Sequence, residues 1–208
     1  MIYKKYIKRL LDIFISVLCM PVVILIIIIV APFIYFEDKG EIFYKAERRG
    51  KDGKVYKMYK LRSMYMNSPD LRNDDGSTYN GKDDFRVTRI GKILREFSID
   101  EIPQIINVLK GDMSFIGPRP NNVRKTYEEL ETKKKKRLTV RPGITGYNQA
   151  FFRNSASVEE KLNNDCYYVD HVSFLFDIKI LLQTVLSVLG RKNIYNTEKK
   201  NSDHMEKG

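Results

Sequence analysis

Asp100 and Glu101 stand side by side in SIDEIPQIINVLKGDMSFIGPRP, residues 98–120. A carboxylate can act as a covalent nucleophile, splitting one difficult transfer into two easier displacements. Downstream, Gly117-Pro118-Arg119-Pro120 holds an arginine in a proline-locked loop, and Arg141-Pro142-Gly143 is a second tight turn that begins with one. Carboxylates beside two such arginines suit chemistry on a charged substrate. A plainer role for Asp100 is open at this point, as the N-cap of the helix that follows. That register puts Pro103 at the third helical position, where its missing N–H costs nothing. Ser98 and Glu101 fit a capping box, but Pro103 would then sit too deep in the helix. Capping and catalysis are compatible, because a helix N-terminus favours an ionised carboxylate.

The elements around this stretch must hold it. Ile102, Ile105, Ile106 and Leu109 recur at helical spacing and predict a buried face, which Lys110 and Gly111 terminate. Arg86 to Phe97 reads as an amphipathic helix with Ile90, Ile93, Leu94 and Phe97 on one side. Residues 41–63 predict a β-hairpin turning at Gly50-Lys51-Asp52-Gly53, whose Arg48, Arg49, Lys57, Lys60 and Arg62 form a solvated basic face or a wall beside a phosphate. Asn67 to Asp84 is polar and reads as a mobile loop. Val123 to Leu138 is expected to be a charged helix. Its Lys133–Arg137 run is a solvated face, or binds acidic headgroups if it lies beside a membrane. Lys161 to Val169 is expected to be a helix carrying Asp165, Tyr167 and Tyr168. Phe174 to Leu189 is an apolar helix, either core or interfacial.

The 208-residue chain has room for one moderate domain with appendages and carries a formal charge of +11, which points to an anionic partner. Nucleic acid, phosphorylated substrates and acidic lipid all qualify. With His171 and His204 as the only histidines, histidine-ligated zinc and a histidine triad are poor fits. A metal would more naturally be magnesium, held by carboxylates and phosphate oxygens. Cys19 lies in an apolar run, so pairing with Cys166 is disfavoured and a reducing compartment expected. Leu10 to Phe36 is almost wholly apolar, preceded by Lys4, Lys5, Lys8 and Arg9 and interrupted by Pro21 and Pro32. It is too long and ends too bulkily for a cleaved signal. It is long enough to span a bilayer, but both flanks are basic, which the positive-inside rule disfavours for a spanning helix. A re-entrant hairpin kinked at Pro21 satisfies both flanks. The expected organisation is a helix-break-helix anchor over residues 1–38, a catalytic domain over 39–190 and a polar, disordered tail over 191–208. The fold class is mixed α/β, mostly helical.

Taken together, Lys8-Arg9 with Asp12, YKMYKLRSM at 56–64, SIDEIPQ at 98–104, KGDMSFIGPRP at 110–120 and RPGITGYNQ at 141–149 resemble the bacterial sugar transferases, in the small monotopic phosphoglycosyl transferase form. That resemblance implies transfer of a sugar-1-phosphate from a UDP-sugar to polyprenyl phosphate, with release of UMP, at the cytoplasmic face of a bacterial inner membrane. It implies Asp100 as nucleophile, through an aspartyl phospho-sugar intermediate, and Glu101 as a ligand of Mg²⁺. Arg119, Arg141, Lys60 and Arg62 become candidates to hold phosphate oxygens, with Pro118 shaping the substrate loop and Arg95 near the lipid headgroup. The implied partners are the UDP-sugar, polyprenyl phosphate and membrane phospholipid, with no nucleic acid; a homodimer is left open. The chain departs from the family in having Met20-Pro21 where a Ser-Pro pair is common, and Tyr147 where tryptophan is common. The alternative is a non-enzymatic, membrane-anchored basic module binding acidic lipid or nucleic acid, which gives the paired carboxylates no task.

Overall fold

A computed structural model describes residues 2–72, 79, 81, 83–152 and 155–190. The expected tail, and part of the loop expected at 67–84, lie outside the described residues.

After a π-helical turn at Tyr3–Ile7, helix α1 runs over Lys8–Asp38. Its 31 residues make it about 46 Å long at 1.5 Å per residue. Most of its large apolar side chains, Leu10, Phe14, Leu18, Ile28 and Phe36 among them, are exposed. The break expected at Pro21 is not there, and helical conformation continues through Pro21 and Pro32. Proline's φ is itself helical, so it forfeits one hydrogen bond that neighbouring turns can absorb.

Both ends of α1 are fastened to the domain that follows it. At its start, Arg9 donates to the carbonyls of Val108 (2.5 Å) and Leu109 (2.9 Å), and Asp12 accepts from Ser114 Oγ and the Phe115 amide, both at 3.1 Å. At its end, Ile34 packs with Leu61 and Leu94, while Glu37 accepts from the amides of Arg89 and Ile90.

The hairpin forms as expected, with β1 (Phe43–Arg49) antiparallel to β2 (Val55–Leu61), pairing Ala46 with Met58 and Arg48 with Tyr56. Alternation sends Ala46, Tyr56 and Met58 inward against Val108 and Met113. Helix α2 is shorter than expected, Arg89–Glu96, because Thr88 caps it by accepting from the Gly91 amide at 2.9 Å. Arg86 lies before it and pairs with Asp84 at 2.7 Å, donating also to the Pro69 and Tyr79 carbonyls. Ile93 and Phe97, expected inside, are exposed, and Leu94 is the buried one.

Helix α3 is Gln104–Lys110, ended by Gly111 at φ 90° as expected. Its buried face is not the isoleucine stripe but Gln104, Asn107 and Val108. The reason is Asn107, which donates to the Lys57 carbonyl (2.8 Å) and accepts from the Tyr59 amide (2.9 Å), pinning α3 to β2. Its other sides meet α1 and the groove, where Ile102 and Ile105 are half-buried.

Strands β3 (Ser114–Ile116) and β4 (Gly143–Thr145) pair in parallel, a union of the two arginine-bearing turns that local sequence did not foretell. Gly117 and Gly143 permit it, since a Cβ on Gly117 would lie 2.4 Å from the Arg141 carbonyl oxygen, and one on Gly143 would lie 2.1 Å from the Gly117 nitrogen. The charged helix expected from Val123 reduces to α4, Thr132–Arg137. Helices α5 (Tyr147–Phe151), α6 (Val158–His171, with a Ser157–Glu160 capping box) and α7 (Phe174–Leu189) complete the fold. Ile116, Val140, Ala150, Tyr168, Val169 and Ile180 form their shared core. Tyr147 packs there against Phe151, Tyr167 and Phe176, filling the place where an indole is common. Helix α7 is both core and surface, with Ile180 buried and Leu175, Leu182 and Leu186 exposed.

Candidate active site

Ser98 adopts a left-handed conformation (φ 58°) that turns the chain sharply after α2, and Ile99–Glu101 form a single 3₁₀ turn. Asp100 is therefore no N-cap, and Ser98 caps nothing; α3 begins beyond Pro103 with no side-chain cap. With capping removed, the acidic pair is explained by what it faces. Asp100 is buried, and Lys60 from β2 reaches both acids, 2.6 Å to Glu101 Oε1 and 3.8 Å to Asp100 Oδ2.

The two carboxyls are driven apart in acidity. Burial pushes Asp100 above the ordinary aspartate range; Lys60, Arg95 and Arg119 pull against this, while the Glu101 charge adds to it. Burial acts on Glu101 in the same direction, but Lys60 and Arg119 outweigh it and hold Glu101 below its ordinary range. Such a pair is suited to separate roles, the more basic carboxylate as nucleophile and the firmly anionic one as cation ligand. The dyad opens into a groove of about 1950 Å³ that Lys60, Arg48, Arg95, Arg119 and Asn122 also line.

The other candidates divide. Arg119 is exposed in the groove and acts electrostatically on both acids, while Pro118 is buried beneath it and its carbonyl accepts from the Gly143 amide at 2.9 Å. Arg95 lines the same groove and donates from Nε to Ser63 Oγ at 2.9 Å. Arg62 also lines the groove, but its guanidinium is committed to the scaffold. Its guanidinium pairs with Asp38 (2.6 Å) and donates to the carbonyls of Ile34 (3.1 Å), Met64 (3.2 Å) and Glu41, so it clamps the end of α1. Arg141 lies off the groove, donating from Nε to the Gly111 carbonyl at 2.8 Å behind α3. Its turn reaches the site instead through Gly143 and Ile144 of β4, which lie beside Glu101 and Lys60.

Asp165 and Arg137 reach the groove without having been singled out for it, whereas Arg48 lines it from the basic hairpin face. Asp165 is buried on α6 and pairs with Arg137 at 2.5 Å. Burial lifts its carboxyl to about 6 against the pull of Arg137 and Arg119. Its spacing within a helix otherwise read for its aromatics gave no signal of this.

Among the described residues no cluster of three acidic, histidine or cysteine ligands exists. Glu101, paired with Lys60, offers one carboxylate, and magnesium commonly takes one or two carboxylates together with substrate phosphates.

A family model described as bacterial sugar transferase matches residues 3–191. The chain is 39% identical to the uncharacterized sugar transferase EpsL of Bacillus subtilis, over 91% of each chain. It is 35% identical to UDP-N-acetylgalactosamine-undecaprenyl-phosphate N-acetylgalactosaminephosphotransferase of Aeromonas hydrophila, over 88% of this chain and 44% of that one. It is 37% identical to UDP-glucose:undecaprenyl-phosphate glucose-1-phosphate transferase of Klebsiella pneumoniae, over 90% of this chain and 41% of that one. The chain thus spans nearly all of one relative and less than half of the other two.

Proposed function

We propose that this chain, which belongs to the bacterial sugar transferase family, moves a sugar-1-phosphate from a UDP-sugar to undecaprenyl phosphate and releases UMP. It is an enzyme of the sugar-phosphate transferase type. The observation that carries the finer reading is the buried Asp100, raised in basicity, beside a Glu101 kept anionic by Lys60.

In the first step an Asp100 carboxylate oxygen attacks the phosphorus bearing the sugar. The bond from that phosphorus to the bridging oxygen breaks, and UMP leaves with the electron pair. In the second, an oxygen of the lipid phosphate attacks the same phosphorus, and the Asp100–phosphorus bond breaks to return the free carboxylate. The product is a polyprenyl diphosphate sugar. Lys60 and Arg119 stabilise the charge on phosphate oxygens throughout. Glu101 is the residue to hold Mg²⁺, which when bound neutralises the diphosphate. Sugar identity differs between the relatives' names, so the donor is one of this class.

The membrane reading deepens in the same way. Both ends of the apolar α1 are tied to one domain, by Arg9 and Asp12 at one end and by Glu37 and Asp38 at the other. Two attachment points on one domain favour an anchor held at a single face of the membrane, the cytoplasmic one where the UDP-sugar is soluble.

The test is UMP release by the membrane-embedded protein from a panel of UDP-sugars with undecaprenyl phosphate and Mg²⁺. Release is expected with a UDP-hexose or UDP-N-acetylhexosamine, and Asp100→Asn is expected to lower it at least about 10³-fold. Brief incubation with donor alone should add one sugar-phosphate to the intact mass of the native protein but not of the variant. Undiminished release by Asp100→Asn would refute the covalent route.

A further inference from the structure

Arg119 is the exposed arginine of a loop whose carbonyls are anchored one after another. Pro118 accepts from the Gly143 amide (2.9 Å) and Asn121 from the Arg49 amide (2.8 Å). Between them, the Arg119 carbonyl accepts from a side chain, Arg137 Nη2 at 2.6 Å. The same nitrogen pairs with Asp165 Oδ2 at 2.5 Å. Arg137 closes the TKKKKR run of α4, and its side chain is 14% exposed where that of Lys136 is 43% exposed. Asp165 is what keeps it turned inward, since a buried guanidinium needs a buried counter-charge.

We propose that Arg137 and Asp165 are positioning residues for Arg119, a two-residue strut from α6 through α4 that fixes the direction in which Arg119 faces the substrate diphosphate. This rests on the reading that Arg119 engages that diphosphate. The plainer role is docking of α4 on α6, and the structure supplies its control. Lys136 pairs with Asp170 at 2.7 Å between the same two helices. Lys136 is absent from the groove, and its ammonium bonds to Asp170 rather than to the Arg119 loop. Because one nitrogen of Arg137 makes both contacts, a lysine ammonium can replace it, unlike at a forked arginine site.

The experiment is titration of the full-length protein in nanodiscs with UDP, the diphosphate common to all such donors, in the presence of Mg²⁺. Arg137→Met is expected to weaken UDP binding about tenfold. Arg137→Lys should recover most of the loss, Asp165→Asn should weaken binding in the same direction, and Lys136→Met should leave it unchanged. Arg119→Ala combined with Arg137→Met should bind no more weakly than Arg119→Ala alone, because a strut has no effect once the residue it holds is gone. Additive losses, or equal losses from Lys136→Met and Arg137→Met, would overturn the proposal in favour of helix docking. If Arg137→Met does not fold, Arg137→Lys and Asp165→Asn carry the same comparison against Arg119→Ala. Absence of UDP binding by the unaltered protein would instead overturn the nucleotide-sugar reading beneath it.

Discussion

Lys60→Met isolates what the ammonium between the two acids does. Lys60 Nζ lies 3.8 Å from Asp100 Oδ2. At an effective dielectric constant of about 20, opposite charges at that distance attract by about 4 kcal/mol, equivalent to about three pK units. The Lys60 side chain is 18% exposed, so solvent weakens this, and one to three units is the range such pairs show, roughly. The sign follows from Asp100 itself. Its carboxyl is raised, so the nucleophilic anion is lost as pH falls through that raised value, and kcat/KM should decline on the acid side. Removing Lys60 removes the largest pull toward the anion. The acid limb should then move upward by at least about one pH unit, with about a tenfold loss at any fixed pH along it. The assay is the pH dependence of UMP release between about pH 5 and 9, in a buffer of constant ionic strength. A limb that stays in place, whatever the plateau does, would show that Lys60 touches substrate without setting the charge of Asp100.

Three further outcomes test the remaining assignments. Arg62→Ala should lower the stability of the detergent-solubilised protein by about 3 kcal/mol, since it strips Asp38 and the Ile34 carbonyl of their buried partner. KM for the UDP-sugar should stay within about twofold; a tenfold rise without a change in thermal unfolding would return Arg62 to the substrate. In a background lacking Cys19 and Cys166, thiols introduced by Ile2→Cys and by Lys51→Cys should react with an impermeant reagent from the same side of the membrane. Because α1 is already helical through Pro21, Pro21→Ala should leave both thiols on the side they occupy, and a shift of the first to the opposite side would reveal a proline-set bend.

What the sequence made legible follows from how local each feature is. The hairpin was readable because its aromatic and β-branched residues and its Gly-Lys-Asp-Gly turn are contained in its own stretch of chain. The end of α3 was readable for the same reason, since Gly111 alone supplies the left-handed conformation. The buried face of α3 was misread because hydrophobic periodicity cannot anticipate an amide. Asn107 repays its burial only when the Lys57 and Tyr59 backbones arrive to meet it. Arg62 and Arg141 were placed with Arg119 because all three are cations near family motifs. A motif fixes which residues occur, whereas the facing of each guanidinium is decided by the carbonyls within its reach. Asp38 and the Ile34 carbonyl of α1 claim Arg62, and the C-terminus of α3 claims Arg141. Arg119 is left facing the acids because its own loop is held by its backbone, through Pro118, Arg119 and Asn121 carbonyls, leaving the side chain uncommitted. Arg119 is thus marked by a side chain turned to the groove while its backbone is tied to the scaffold. Lys60 satisfies the complementary condition: β2 is locked to β1 and to Asn107, and its ammonium is the group that remains to meet the dyad.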